Sequence, residues 1–195
     1  MLIHFIILLI GASQAPYTTS DYFPLPQDNA RLYISDEGDT TKRYFMPEVE
    51  QIGSKEYYHE KEEGYLWRHD NWYRSDSLEN ILKIQYGETV ESLFLPGKLK
   101  VGYEWHTQTK SWKYKIQNQN ATLTVRGVTY SNLLQVREYN LEIPSDDGVY
   151  YSYYMPKSGF ICRTRNGEVL EAIVDFEASR YSPVQRLQDA APCKG

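Results

Sequence analysis

The sequence predicts an all-β, β-rich domain: a strongly curved antiparallel meander sheet or an open barrel, with little helix. Three observations predict it. Between residues 99 and 176, short runs of alternating apolar and polar residues recur with turn residues between them. Asp147-Gly148 and Asn166-Gly167 each stand between two such runs, and Asn-Gly is the strongest short hairpin signal because both residues tolerate positive φ. Tyr and Trp, which favour strands and half-buried faces, number 18 and 4. About seven strands joined by short turns make a meander. A sheet of that width must curl or close to limit its edges.

The chain opens with the apolar run Leu2 to Ile10, followed by Ser13-Gln14-Ala15. This reads as a signal peptide over residues 1–15 with a small-x-small cleavage site, although no Lys or Arg precedes the run. About ten apolar residues are too few to span a bilayer, and no other stretch approaches that length. The expectation is an exported protein, periplasmic or secreted, with no transmembrane anchor after cleavage and a single domain over residues 16–195. Residues 16–30 form an exposed lead-in with Tyr22-Phe23-Pro24-Leu25-Pro26 as a docking point. Strands are expected at residues 31–35, 43–45 and 56–59, then a polar turn at 59–64 and a strand pattern resuming at 65–67. Residues 77–80 open a short helix, and 81–86 are rich in strand formers up to Gly87.

In the second half Leu99, Val101, Tyr103 and Trp105 alternate with polar or small residues, and Trp112, Tyr114 and Ile116 follow on one parity. Asn118-Gln119-Asn120 makes a turn before Leu123 and Val125. Leu134 and Val136 share a parity that Tyr139, Leu141 and Ile143 do not, which predicts a β-bulge near Arg137. A turn at 144–148 leads to a strand at 149–155, and runs at 160–165 and 168–176 flank Asn166-Gly167. A short helix is expected near residues 184–191.

Several runs carry a resemblance. Leu95-Pro96-Gly97-Lys98-Leu99-Lys100-Val101-Gly102-Tyr103-Glu104-Trp105 resembles the PL-x-VG-x-x-W element of small exported bacterial β-sheet proteins, most of unknown function. The run from Thr122 to Val136 is similar to their V-x-V-x-x-G-x-F-x-N-x-L-x-V strand pair. Tyr153-Tyr154-Met155-Pro156-Lys157-Ser158-Gly159-Phe160-Ile161 is similar to their YY-x-x-G-x-G-x-V hairpin, with Lys157-Ser158 in place of the first Gly. Tyr22-Phe23-Pro24-Leu25 is similar to their common start. The matched elements cover about half the chain and build structure rather than chemistry. In layout the family resembles the LolA/LolB-like curved-sheet carriers of lipoprotein trafficking, which implies a ligand held inside a curved sheet.

The net charge of -5 argues against nucleic acid as a partner. The only two cysteines, Cys162 and Cys193, are expected to form a disulfide in an oxidising compartment, worth about 3–4 kcal/mol. His59-Glu60-Lys61-Glu62-Glu63 lacks the second His of a zincin helix and reads as a solvated charge run. Glu104 and His106 share a strand face and, with His69 and Asp70, are acid–base or metal candidates. Their spacing does not favour a metal, and no cofactor motif, serine elbow or phosphate-cradling loop is present.

The aromatic set is the remaining signal. Trp67, Trp72, Trp105, Trp112, Tyr151 and Tyr153 are the candidate binding-surface residues. The reading is therefore an exported cell-envelope binding protein without catalytic activity. Its partner is expected to be a protein, and one version is an immunity or inhibitor protein for a toxin or enzyme. The alternatives are a periplasmic carrier of lipid or another apolar ligand, and a hydrolase of envelope carbohydrate using paired carboxylates.

Overall fold

The computed structural model describes residues 17–26, 30–143 and 148–174. The expected signal peptide, Asp147, Cys193 and the helix near 184–191 lie outside them. One short helix, α1 (Thr19–Tyr22), precedes β1 (Arg31–Ser35), β2 (Thr40–Ile52), β3 (Lys55–Glu63), β4 (Arg68–Ser75), β5 (Ile81–Ile84) and β6 (Ser92–Leu95). The second half supplies β7 (Glu104–His106), β8 (Trp112–Val125), β9 (Val128–Asn140), β10 (Tyr150–Met155), β11 (Gly159–Arg165) and β12 (Glu168–Ile173). These form one 12-stranded sheet in the order β6-β5-β4-β3-β2-β1-β12-β11-β10-β9-β8-β7. All neighbouring pairs are antiparallel.

Two meanders thus meet along the β1–β12 pair, and the sheet curls until its free edges, β6 and β7, come round to each other. No ladder joins them. The Gln108 backbone N–H donates to Ser92 Oγ across the seam at 3.0 Å. The result is the expected all-β architecture, a nearly closed antiparallel barrel with almost no helix. Closure leaves little unpaired strand edge exposed.

Alternation along the strands sends one set of side chains into the barrel. Its lower part is a packed core of Tyr73, Ile81, Leu95, Trp105, Ile116, Leu134, Val136 and Tyr154, joined by Tyr22 and Phe23 from the N-terminal segment. Thr18 and Asp21 cap α1 reciprocally. Thr19 Oγ1 donates to the Pro96 carbonyl at 2.6 Å, and Tyr22 Oη donates to the carbonyls of Gln119 and Asn132 at 3.0 and 3.2 Å. The segment expected to be a docking point is therefore the floor of the barrel.

A second core lies outside the barrel wall. Ala121, Val125 and Leu133 of the β8–β9 hairpin pack with Tyr153, Cys162 and Ala172, whose side chains point away from the lumen. The expected disulfide is overturned here: Cys162 is a free, buried thiol. Tyr153 and Ala172 flank it in the register and the hairpin covers it, and burial pushes its thiol up to about 12, which leaves it inert.

Local departures have local causes. The expected polar turn at 59–64 is the end of β3, whose charges alternate between lumen and outer wall. The expected strand from Leu99 starts only at Glu104, because Lys100 to Tyr103 form a turn with Gly102 at φ 89° and the Tyr103 N–H bonded to the Lys100 carbonyl. No helix forms at 77–80: Asp76 Oδ1 accepts from the N–H groups of Leu78 and Asn80 and holds a turn instead. Asn118-Gln119-Asn120 does not reverse the chain but lies in β8, where the register shifts between Ile116 and Leu123. β9 keeps unbroken register past Arg137, so no bulge sits there. The parity change arises because Tyr139 sits beneath Lys113 and Arg137, whose cations lie 4.8 and 4.6 Å from its ring. Asn166-Gly167 is the expected tight hairpin, with both residues at positive φ, 53° and 88°.

Outside the wall, Glu91, just before β6, ties β3 and β4 together. It receives Lys55 Nζ at 2.7 Å, Tyr57 Oη at 2.6 Å, and Arg74 through Nη2 at 3.0 Å and through Nε. Chiefly through Arg74, its carboxyl is held at about 2. A depressed carboxylate stabilises the fold above its unfolded value and loses that contribution as pH falls through the folded one. Solvent screening at this partly exposed site takes at least half of the corresponding energy. Glu91→Gln is thus expected to cost about 1–2 kcal/mol at neutral pH, with the difference vanishing between about pH 5 and pH 2 in urea melts.

Candidate functional site: the barrel lumen

The floor made by α1 and Phe23 closes one end of the barrel. The strand registers bring Glu62, His69, Trp112 and Tyr150 to the other end. There Trp67, His69 and Tyr86 form a stack on one lip, with ring centroids 4.8 and 5.1 Å apart. Gly64 lies against the Trp67 indole so closely that a Cβ would collide with the ring, which fixes where that indole sits. Trp112 and Tyr150 meet edge to face at 5.9 Å on the opposite lip.

Between mouth and floor lies a cavity of about 340 Å³. Its aromatic walls include Tyr33, Tyr73, Phe94, Trp112, Tyr154 and Phe160. Its charged groups are Arg43, Lys83 and Arg163 against Glu60, Glu62, Glu138 and Glu171. Arg43 Nη2 bridges Glu62 and Glu171, each at 2.8 Å, while its guanidinium lies over the rings of Tyr33 and Phe160 at 4.6 and 5.0 Å. Arg163 Nη2 contacts Glu138 Oε2 at 2.7 Å and its guanidinium lies over Trp112 and Tyr150 at 5.3 and 5.1 Å. Ser152 Oγ also donates to Glu138.

Two charged groups in the wall lack such a partner. Glu60 Oε2 accepts from Tyr73 Oη at 3.1 Å and from Asn71 Nδ2 at 3.4 Å, both neutral. Lys83 Nζ touches only the faces of Tyr73 and Phe94, 5.4 and 5.7 Å from their centroids, with no ion pair or hydrogen bond among the described residues. Burial pushes the Glu60 carboxyl up and the Lys83 amine down. Burial likewise keeps the phenols of Tyr114 and Tyr154 protonated well beyond neutral pH.

The outer wall carries a separate polar group. His59 is clamped between Glu50 and Asp70, with Nδ1 and Nε2 at 2.6 and 2.7 Å, and stacks on Trp72 at 5.0 Å. Trp72 Nε1 donates to Glu50 at 2.7 Å. The expected quartet of Glu104, His106, His69 and Asp70 is not assembled. Glu104 pairs with Lys113 and Lys115, Asp70 with His59, and His69 sits at the mouth. Among the described residues, no group of three or more His, Cys, Asp or Glu side chains is placed to hold a metal ion.

The candidate aromatics are thereby dispersed. Trp112 lines the cavity and Trp67 its lip. Trp72 lies on the outer wall. Trp105 is in the core, stacked on Tyr114 at 5.4 Å. Tyr151 and Tyr153 belong to the second core, where Tyr153 Oη accepts from Gln135 Nε2 at 2.9 Å. The charged lining escaped the sequence reading, yet it left a signal. Leu134, Val136 and Glu138 share one parity, so a carboxylate there stands in phase with two buried apolar residues, whereas in β3 the buried Tyr57 and His59 lie on the parity opposite Glu60 and Glu62. No protein-family model, no curated protein and no solved structure matches the chain.

Proposed function

We propose that this is an exported binding protein that holds a small polar ligand inside the barrel. One observation carries the reading: the lumen stays open above its floor although charged side chains ring it. A barrel of scaffolding purpose alone fills with side chains. Aromatic walls with a few fixed polar groups are the composition of a small-molecule site. A ligand inside a curved sheet is also what the resemblance to the LolA/LolB-like carriers implies. The lining favours a polar ligand over a lipid, because an apolar chain would strip water from carboxylates without replacing its hydrogen bonds.

Thermal melts test this with a panel of free amino acids, hydroxy acids, monosaccharides and decanoate. The control is Gln85→Trp, which places a ring over the mouth from an exposed position. A polar class is expected to raise the melting temperature of the natural protein by several degrees at about 100 times its Kd, and not that of the variant. Stabilisation by decanoate alone, or an equal shift in Gln85→Trp, contradicts the reading.

A protein partner, including a toxin or enzyme that this chain inhibits, is the second reading. Its support is the β3–β4 turn beside the mouth, where Tyr65 and Leu66 are 93% and 86% exposed. Capture of one partner that is lost in Tyr65→Ser/Leu66→Ser would favour it, and capture unaffected by those changes would count against it.

A further inference from the structure

Resting on the lumen reading, we infer that the ligand is a zwitterion of amino-acid size, its anionic group on Lys83 and its ammonium on Glu60. The argument is one of pairing. Arg43 is engaged by Glu62 and Glu171, and Arg163 by Glu138. Those groups are already ion-paired and shape the wall, although one guanidinium serves two carboxylates at Arg43 and the Arg163 Nε has no hydrogen-bond partner among the described residues. Lys83 and Glu60 flank Tyr73 on neighbouring strands: Tyr73 pairs with Lys83 in the register, and Asn71 with Glu60. Both face the cavity, and neither contacts an opposite charge.

Lys83 and Glu60 feel each other's charge across Tyr73, with Arg43 also acting on Glu60 and Glu62 and Glu88 on Lys83, but no ion pair closes between them. A ligand with a single charge would pair directly with one of them and leave the other without a contacting counter-charge. A ligand with both charges satisfies the two together, and each new contact is a charge-assisted hydrogen bond. It also offsets what burial does to each group, stabilising the Glu60 carboxylate and the Lys83 ammonium at once. Size agrees with charge. At about 30 Å³ per water-sized group, the cavity takes on the order of ten non-hydrogen groups. The aromatic walls at Tyr154, Phe160 and Trp112 leave an apolar surface for a side chain.

Calorimetric titration of the free α-amino acids against the natural protein tests this. The best binder is then compared with its decarboxylated amine and its deaminated acid. Each truncated analogue is expected to bind at least about 10-fold more weakly. The near-isosteric variants Lys83→Met and Glu60→Gln are expected to lose the zwitterion by a similar factor and to change their preference in opposite directions. Lys83→Met should favour the amine, and Glu60→Gln the acid. Melting curves of both variants establish that each is folded before it is titrated. Amine or acid binding the natural protein as tightly as the amino acid, or variants with unchanged preference, would overturn the inference. Binding of monosaccharides or hydroxy acids without any amino acid overturns it while leaving the lumen reading standing. Absence of every polar ligand from the lumen removes both.

Discussion

Arg43→Met is expected to destabilise the fold by about 3–5 kcal/mol. The guanidinium fills the space between Tyr33 and Phe160, and among the described residues it is the only cation paired with Glu62 and Glu171. Methionine keeps much of the packing and leaves two carboxylates facing a partly dry wall. Burial already raises the Glu171 carboxyl, with Arg43 opposing the rise. Without Arg43 that carboxyl rises further. A carboxyl raised in the folded state lowers stability above its folded pKa and ceases to do so below it. The deficit of Arg43→Met should therefore shrink as pH falls through the acid range. Adding Glu62→Gln and Glu171→Gln should restore most of the loss, since neutral replacement of a whole buried charge group is often nearly without effect. Urea melts across pH measure all three. A deficit below about 1 kcal/mol, or one independent of pH, would show that this group is solvated rather than structural.

Tyr22→Ala is expected to cost a similar amount, about 3–5 kcal/mol, through a different mechanism. Tyr22 is fully buried, packs in the lower core, and donates to carbonyls of β8 and β9 where the β8 register is irregular. Removing it deletes a large ring from the floor and leaves those carbonyls without their donor. Tyr22→Phe keeps the ring and should lose only about 1 kcal/mol. Amide exchange separates the two cases. In Tyr22→Ala, protection should fall first in the α1 segment and around Gln119 and Asn132, while the β1–β12 pair at the opposite wall stays protected. Uniform loss of protection, or a cost for Tyr22→Ala near that for Tyr22→Phe, would contradict the role of this segment as a floor.

The parts of the fold that the sequence disclosed are those governed by neighbours along the chain. Asn166-Gly167 specifies its turn through two backbone conformations, and the tyrosine-rich strand at β10 through propensity and alternation. The curl of the sheet followed from the number of strands and the cost of open edges. What was illegible depends on contacts far apart in sequence. The β1–β12 pairing that joins the two meanders has no local mark, nor does the docking of Tyr22 against residues near 119 and 132. Cys162 looked like half of a disulfide because redox compartment was the only available argument. Its burial depends on a hairpin that folds over the outer wall.

The candidate site was hidden for a related reason. A glutamate in a strand reads as surface, and only the closure of the barrel turns Glu60, Glu62, Glu138 and Glu171 inward together. Residue type alone marks the aromatic candidates in the sequence, and the fold spreads them over core, outer wall and mouth. Trp112 alone among the tryptophans lines the cavity, with Trp67 at its lip.

That distribution supplies the most direct test of the lumen as the ligand site. The indole N–H resonances of the four tryptophans can be followed by heteronuclear NMR while the panel of amino acids, hydroxy acids and monosaccharides is titrated. Ligand in the lumen is predicted to shift Trp112 strongly and Trp67 less, and to leave Trp72 on the outer wall unmoved. A saturable shift at Trp72 with Trp112 unchanged would contradict it.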